Sequence, residues 1–175
     1  MIRLTVFTPA YNRAHTLPRT YESLCSQNCK DFCWLIIDDG SIDNTAQLVK
    51  GWMEKDNGFK IQYIYKENGG MHTAHNIAYE NITTELNVCV DSDDCMAEDG
   101  VAKILKKWDE VKDRGYAGII GLDADMPYSL PPTAASIPQA TPWTPLPGMP
   151  GWSTPGPSPW AVTCGSEETW WYCPG

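Results

Sequence analysis

Three carboxylates, Asp91, Asp93 and Asp94, stand at the end of a short apolar stretch, Leu86 to Val90. Asp91 and Asp93 are two residues apart, so in an extended chain both point to the same side. Like charges this close raise each other's pKa unless a cation intervenes. An oxygen-only donor set suits a hard dication, which makes Mg²⁺ or Mn²⁺ the expected occupant, with Asp93 as the ligand. An EF-hand is excluded, because Met96 stands where that loop needs glycine and Cys95 where it needs an oxygen ligand. The competing reading is a solvated turn that caps the next helix, and Asp94, Glu98 and Asp99 fit it through the helix dipole.

A second polar cluster, Asp38-Asp39-Gly40-Ser41, closes the apolar run Cys33 to Ile37. Read alone it is an Asx turn between strand and helix. Its functional reading is a buried carboxylate that accepts from an N–H donor such as a nucleobase, with Tyr11 placed to stack on that base. Neither a P-loop nor a GxGxxG motif is present, so the ATPase and dinucleotide modes of holding phosphate are excluded.

The elements that must position these groups follow from periodicity. Strands are expected at Leu4–Thr8, Cys33–Ile37, Ile61–Tyr65 and Leu86–Val90, with a fifth at Tyr116–Leu122; Pro9 to Arg13 reads as a loop. Helices are expected after Thr16 with Tyr21, Leu24 and Cys25 inward, and after Asp43 or Asn44 with Leu48, Val49, Trp52 and Met53 on one face. A third runs from Gly70 through Ala74, Ile77 and Ala78. A fourth carries Val101, Ile104, Leu105, Trp108 and Val111 at helical spacing. Strand and helix alternate, which predicts an α/β fold with a mostly parallel sheet flanked by helices. Ligands of such sheets gather beyond the carboxyl ends of the strands, where Thr8–Asn12, Asp38–Ser41 and Asp91–Asp94 are expected to converge.

The ordered set Thr8-Pro9-Ala10-Tyr11-Asn12, Asp38-Asp39-Gly40-Ser41, Asn68-Gly69-Gly70 with Ala74 and Asn76, and Asp91-Ser92-Asp93-Asp94 resembles the family 2 glycosyltransferases, inverting enzymes of the Rossmann-like GT-A fold. The resemblance covers about residues 2–125. It implies a nucleoside diphosphate sugar, a UDP-sugar, as the donor. By it, Pro9, Tyr11 and Asp39 form the base pocket, Asp91 sits at the ribose side, Asp93 holds the metal, and Thr8, Asn12, Gly70, His72, Asn76 and Ser92 belong to the same nucleotide-sugar site. The Gly69-Gly70 backbone then allows close approach of the diphosphate or sugar, and His72 or His75 is a candidate donor to phosphate, against the alternative of a helix start with exposed histidines. Relatives often carry a basic residue after the two glycines, whereas this chain has Met71 followed by His72. The family's general base comes from its second half. Glu167 and Glu168 are the carboxylates beyond Asp125, and since neither has a matching context, the base is left unassigned. The acceptor is left open among a lipid carrier, a polysaccharide and a protein.

Composition sets the outer bounds. The 175 residues carry a net charge of -9 without a Lys/Arg cluster, which argues against a nucleic-acid partner. No stretch reaches the roughly 18–20 apolar residues that span a bilayer. Met1 to Pro9 is too short in apolar residues for a signal peptide. The seven cysteines form no framework spacing. These features give the expectation of a cytoplasmic protein with reduced thiols, compatible with peripheral attachment to a membrane; Cys25, Cys29 and Cys33 are read as packing groups. All thirteen Lys and Arg precede Asp125, while twelve of fourteen Pro and five of eight Trp follow it. The chain is therefore divided into a nucleotide-sugar-binding part, 1–125, that lacks its acceptor half, and an irregular Pro/Trp-rich tail, 126–175. A switch this abrupt is what a change of reading frame would produce. The alternative is a non-catalytic nucleotide-binding protein that uses its Pro-rich tail for interaction.

Overall fold

The computed structural model describes residues 2–121 and the backbone of 171–174. The chain divides into a unit of Met1–Ala124 with Pro159–Gly175 and a second, Asp125–Ser158, which lies wholly outside the described residues. In order, the elements are β1 (Leu4–Ala10), α1 (Leu17–Cys25), β2 (Phe32–Asp38), α2 (Thr45–Met53), β3 (Lys60–Tyr65), α3 (Met71–Asn81), β4 (Leu86–Cys89), α4 (Gly100–Val111), β5 (Tyr116–Ile120) and β6 (Trp171–Pro174).

The first four strands form one parallel sheet in the order β3-β2-β1-β4. The chain adds β2 and β3 on one side of β1 and then crosses to the other side for β4. The gap between the loops after β1 and β4 is thus a topological switch point, where open α/β sheets bind ligands. β1 and β2 are buried at all seven of their positions, as expected for strands covered on both faces.

Side-chain parity sorts the two faces. Leu4, Val6, Phe32, Trp34 and Ile36 pack with Leu17, Leu24, Val49, Trp52, Val101, Ile104 and Leu105. Phe7, Leu35 and Ile37 pack instead with Ala74 and Ala78 of α3. Within the first face Tyr21 and Trp52 stack at 4.3 Å with rings almost parallel, and Trp34 lies 5.9 Å from Trp52. Trp34 Nε1 donates to Thr8 Oγ1 at 2.9 Å, which ties this aromatic layer to β1.

Several expectations need correction. β1 runs two residues past Thr8, through Pro9. Phe7 bonds toward β4 and Ala10 toward β2, so the nitrogen of Pro9 faces the β4 side, beyond the last β4 ladder bond, Val90 N–H to Phe7 O. A proline there removes no ladder bond. β4 stops at Cys89, one residue short of the expected end. β5 stops at Ile120 and pairs antiparallel with β6 rather than joining the parallel sheet. Cys25 and Met53, read as inward-facing, are exposed at the ends of α1 and α2. The expected irregularity of 126–175 falls outside the described residues, except that the backbone of Trp171–Pro174 is a strand. Among the described residues no helix is long and apolar enough to cross a membrane.

Candidate functional site

Parity also decides the roles of the two adjacent aspartates after β2. Asp38 turns to the aromatic face. Its Oδ2 accepts from Tyr63 Oη at 2.5 Å and its Oδ1 from Ser41 N–H at 2.7 Å. Burial and the Asp38 charge together push the Tyr63 phenol well above its ordinary pKa. Asp39 turns to the opposite face and into a cavity of about 530 Å³.

That cavity is lined by Pro9, Ala10, Tyr11 and Arg13 from the end of β1, by Asp39, by Asn68, Gly70, Met71 and Ala74 around the start of α3, and by Asp91, Ser92 and Asp93 after β4. The loops that carry these residues are stitched together. Asn12 N–H donates to Ser41 Oγ at 2.8 Å, and Ile42 N–H returns to Asn12 Oδ1 at 2.9 Å. Arg13 N–H and Ala14 N–H reach Thr45 Oγ1 and Asp43 Oδ2. Asn12 takes a positive φ of 54°, a conformation that asparagine tolerates better than most residues. Gly40, at φ 84°, could not carry a Cβ: that atom would lie 2.7 Å from the Asn68 backbone nitrogen. The β2 and β3 loops therefore touch backbone to backbone only because residue 40 is glycine.

Asp39 anchors the Asn68-Gly69-Gly70 turn. Its Oδ1 accepts from Lys66 Nζ and from Gly69 N–H at 3.0 Å; its Oδ2 accepts from Gly70 N–H at 2.8 Å. Its main-chain oxygen takes Asn68 Nδ2 at 3.0 Å. Burial pushes the carboxyl up, but the Lys66 ammonium and the two glycine amides outweigh it and hold its pKa below the ordinary carboxylate value.

The opposite rim is open. Asp91 and Asp93 lie in a turn closed by Asp94 N–H to Asp91 O at 3.0 Å, not in an extended strand as their spacing implies, because β4 has already ended. Thr20 Oγ1 fixes this loop from below by donating to Asp94 O at 2.8 Å. Ser92 is buried while Asp91 and Asp93 are exposed. Asp93 Oδ2 faces Arg13 Nη1 at 3.7 Å, across to the β1 loop. Among the described residues no three His, Cys, Asp or Glu side chains cluster as a metal cage. Two carboxylates on a solvent-facing rim do match the way Mg²⁺ and Mn²⁺ are commonly held, by one or two carboxylates together with substrate phosphates.

Of the residues expected at the site, Pro9, Tyr11, Asp39, Gly70, Asp91, Ser92 and Asp93 line this one cavity. Thr8, Asn12, His72 and Asn76 do not. Thr8 is fully buried on the other face against Trp34, and Asn12 is a loop-to-loop brace. His72 and Asn76 are exposed on α3, with the His72 ring against Gly70. His75, weighed as a phosphate donor, packs edge-on to Phe7 at 5.3 Å. The carboxylates considered for a general base, Glu167 and Glu168, lie outside the described residues. Sequence reasoning passed over Arg13 and Lys66. Only the strand register could have found Lys66: Asp38 pairs with Tyr65, which puts the next pair, Asp39 and Lys66, side by side.

The sequence model of glycosyl transferase family 2 matches residues 5–154, beyond the composition break at Asp125. A glycosyltransferase named GlyA from Streptococcus pneumoniae is 32% identical over 105 residues, which cover 60% of this chain and 15% of that protein. The S. aureus TarS fragment 1–349, solved with UDP, superposes with a TM-score of 0.63 at 22% identity over 75% of this chain and 38% of the fragment. A mannosyltransferase from Pyrobaculum calidifontis, solved with GDP-Man and Mn²⁺, superposes with a TM-score of 0.62 at 24% identity, over 70% of this chain and 36% of that one. The chain thus spans about 15% of the pneumococcal relative it matches.

Proposed function

We propose, for a chain that belongs to glycosyl transferase family 2 and has the GT-A fold, that the cavity beyond β1, β2 and β4 binds a UDP-sugar with a divalent cation, for inverting transfer of the sugar to an acceptor hydroxyl. The observation that carries this reading is the meeting of Tyr11, Asp39, Asp91 and Asp93 on the rim of one cavity. Two fold neighbours, one solved with UDP and one with GDP-Man and Mn²⁺, support a nucleotide ligand and a dication.

In this reading the exposed ring of Tyr11 offers a stacking face for the base, and Asp39 accepts from its N–H edge. The Gly69-Gly70 backbone permits close approach of the donor beside Met71 and Ala74. Asp91 lies on the ribose side, and Asp93 and the donor's diphosphate would together hold Mg²⁺ or Mn²⁺. When bound, such an ion supplies Lewis-acid stabilisation of the departing nucleoside diphosphate. Arg13, 3.7 Å from Asp93, adds positive charge on the same rim. The acceptor and the general base belong to the activity of the whole protein and are not assigned.

Calorimetric titration with UDP tests the reading. Binding is expected to require Mn²⁺ in the wild type and to lose that requirement, with most of its affinity, in Asp93→Ala. The reading is overturned if UDP with Mn²⁺ fails to bind, or binds equally well without the metal and in the variant.

A further inference from the structure

The carboxylate read as the base-facing group is already largely used. A carboxylate offers about four acceptor positions. Oδ1 of Asp39 accepts from Lys66 Nζ and Gly69 N–H, and Oδ2 from Gly70 N–H, which leaves one position, on Oδ2. We propose that Lys66 is a positioning residue that sets the choice of base: by filling Oδ1 it leaves a single acceptor, which suits the one N–H of uracil and rejects guanine, whose N1–H and 2-amino group call for both oxygens. This rests on reading the cavity as a nucleotide-sugar site.

Lys66 is not a roaming surface lysine. Its backbone N–H is fixed to Asp38 O at 2.9 Å, continuing the β2–β3 ladder. Its ammonium also donates to Glu67 O at 2.6 Å, and its side chain is 17% exposed against 5% for Asp39. The carboxylate cannot rotate to free Oδ1 without leaving the Gly69 and Gly70 amides as well. Asn68 lines the same cavity and spends one Nδ2 hydrogen on Asp39 O, which leaves its second amide hydrogen for a ligand. An acceptor and a donor in one cavity complement the N–H and C=O neighbours of a uracil edge. Guanine satisfies the same pair with N1–H and O6, but its 2-amino group then meets an oxygen with no free position. An unpaired donor in a buried site weakens binding by about tenfold or more.

Inosine diphosphate, whose base is guanine without the 2-amino group, isolates this contact. With the full chain and Mn²⁺, UDP is expected to bind tightest, and inosine diphosphate about tenfold tighter than GDP. In Lys66→Met, which keeps the length but not the donor, the gap between inosine diphosphate and GDP is expected to close to within about twofold, and Lys66→Arg to reopen it. A lysine that only stabilises the loop would lower all three affinities alike and leave their ratios unchanged. The inference is overturned if the wild type binds GDP as tightly as inosine diphosphate, a result that needs no variant, or if the ratio survives in Lys66→Met. If none of the three nucleotides binds in the presence of Mn²⁺, the nucleotide-sugar reading of the cavity itself fails and this inference goes with it.

Discussion

The two acidic rims of the cavity are built in opposite ways. At the end of β2, Asp39 is buried, carries three donors on its carboxylate and is paired with a lysine. After β4, Asp91 and Asp93 are exposed in a turn, and Asp93 has a long contact to Arg13. The first carboxylate is part of the framework: remove it and the Gly69-Gly70 turn loses its anchor. The second pair bears little of the fold: its side-chain contacts are long, Cys89 Sγ to Asp91 Oδ1 at 3.7 Å and Arg13 Nη1 to Asp93 Oδ2 at 3.7 Å, and both carboxylates face solvent. Similar spelling at two strand ends thus conceals one site that is satisfied and one that is open.

The largest effect that would sharpen this contrast is on stability. Asp39→Ala leaves a half-buried ammonium and two amides without their acceptor and is expected to cost about 2–4 kcal/mol in urea unfolding. Asp93→Ala, at an exposed pair, is expected to change stability by less than about 1 kcal/mol while removing metal-dependent nucleotide binding. Equal losses from the two would break the comparison. Acid titration probes the same buried carboxylate. Its folded pKa is depressed, so its contribution is fully present above the ordinary carboxylate value of about 3.9 and is lost as the pH falls below that value toward the folded pKa. Followed by circular dichroism, the acid transition is expected to move to higher pH in Lys66→Met.

A smaller loss is expected from Gly40→Ala, about 1–3 kcal/mol, from strain at positive φ and the clash with the Asn68 backbone. Smaller again is Thr8→Val, which leaves Trp34 Nε1 unpaired in the core at a cost of about 1–2 kcal/mol. That variant is expected to leave the affinity for UDP nearly unchanged once folded. A large loss of affinity would restore Thr8 to the nucleotide-sugar site, where its sequence motif had put it.

These cases show what the amino-acid order could and could not reveal. The four parallel strands and four helices were legible because each carries its own period, from the buried run Cys33–Ile37 to the stripe of Val101, Ile104 and Leu105. The convergence of the loops after β1, β2 and β4 followed from the alternation of strand and helix, which sets the strands parallel with their carboxyl ends along one edge. Parity along β1 could have separated Thr8 from Pro9, since alternate residues face opposite layers. Two things were not local. The pairing of Lys66 with Asp39 depends on how β3 is registered against β2, and the turn at Asp91–Asp94 depends on where β1 ceases to offer partners to β4. Both are decided between strands, where no short motif records them.

The most direct measurement is anomalous X-ray diffraction from crystals of this chain grown with UDP and Mn²⁺. The account predicts a manganese peak within about 2.0–2.2 Å of an Asp93 carboxylate oxygen, bridged to the diphosphate, with the uracil ring over Tyr11 and its N–H on Asp39 Oδ2. A manganese ion bound away from Asp93, or a nucleotide seated on another face of the molecule, would contradict it.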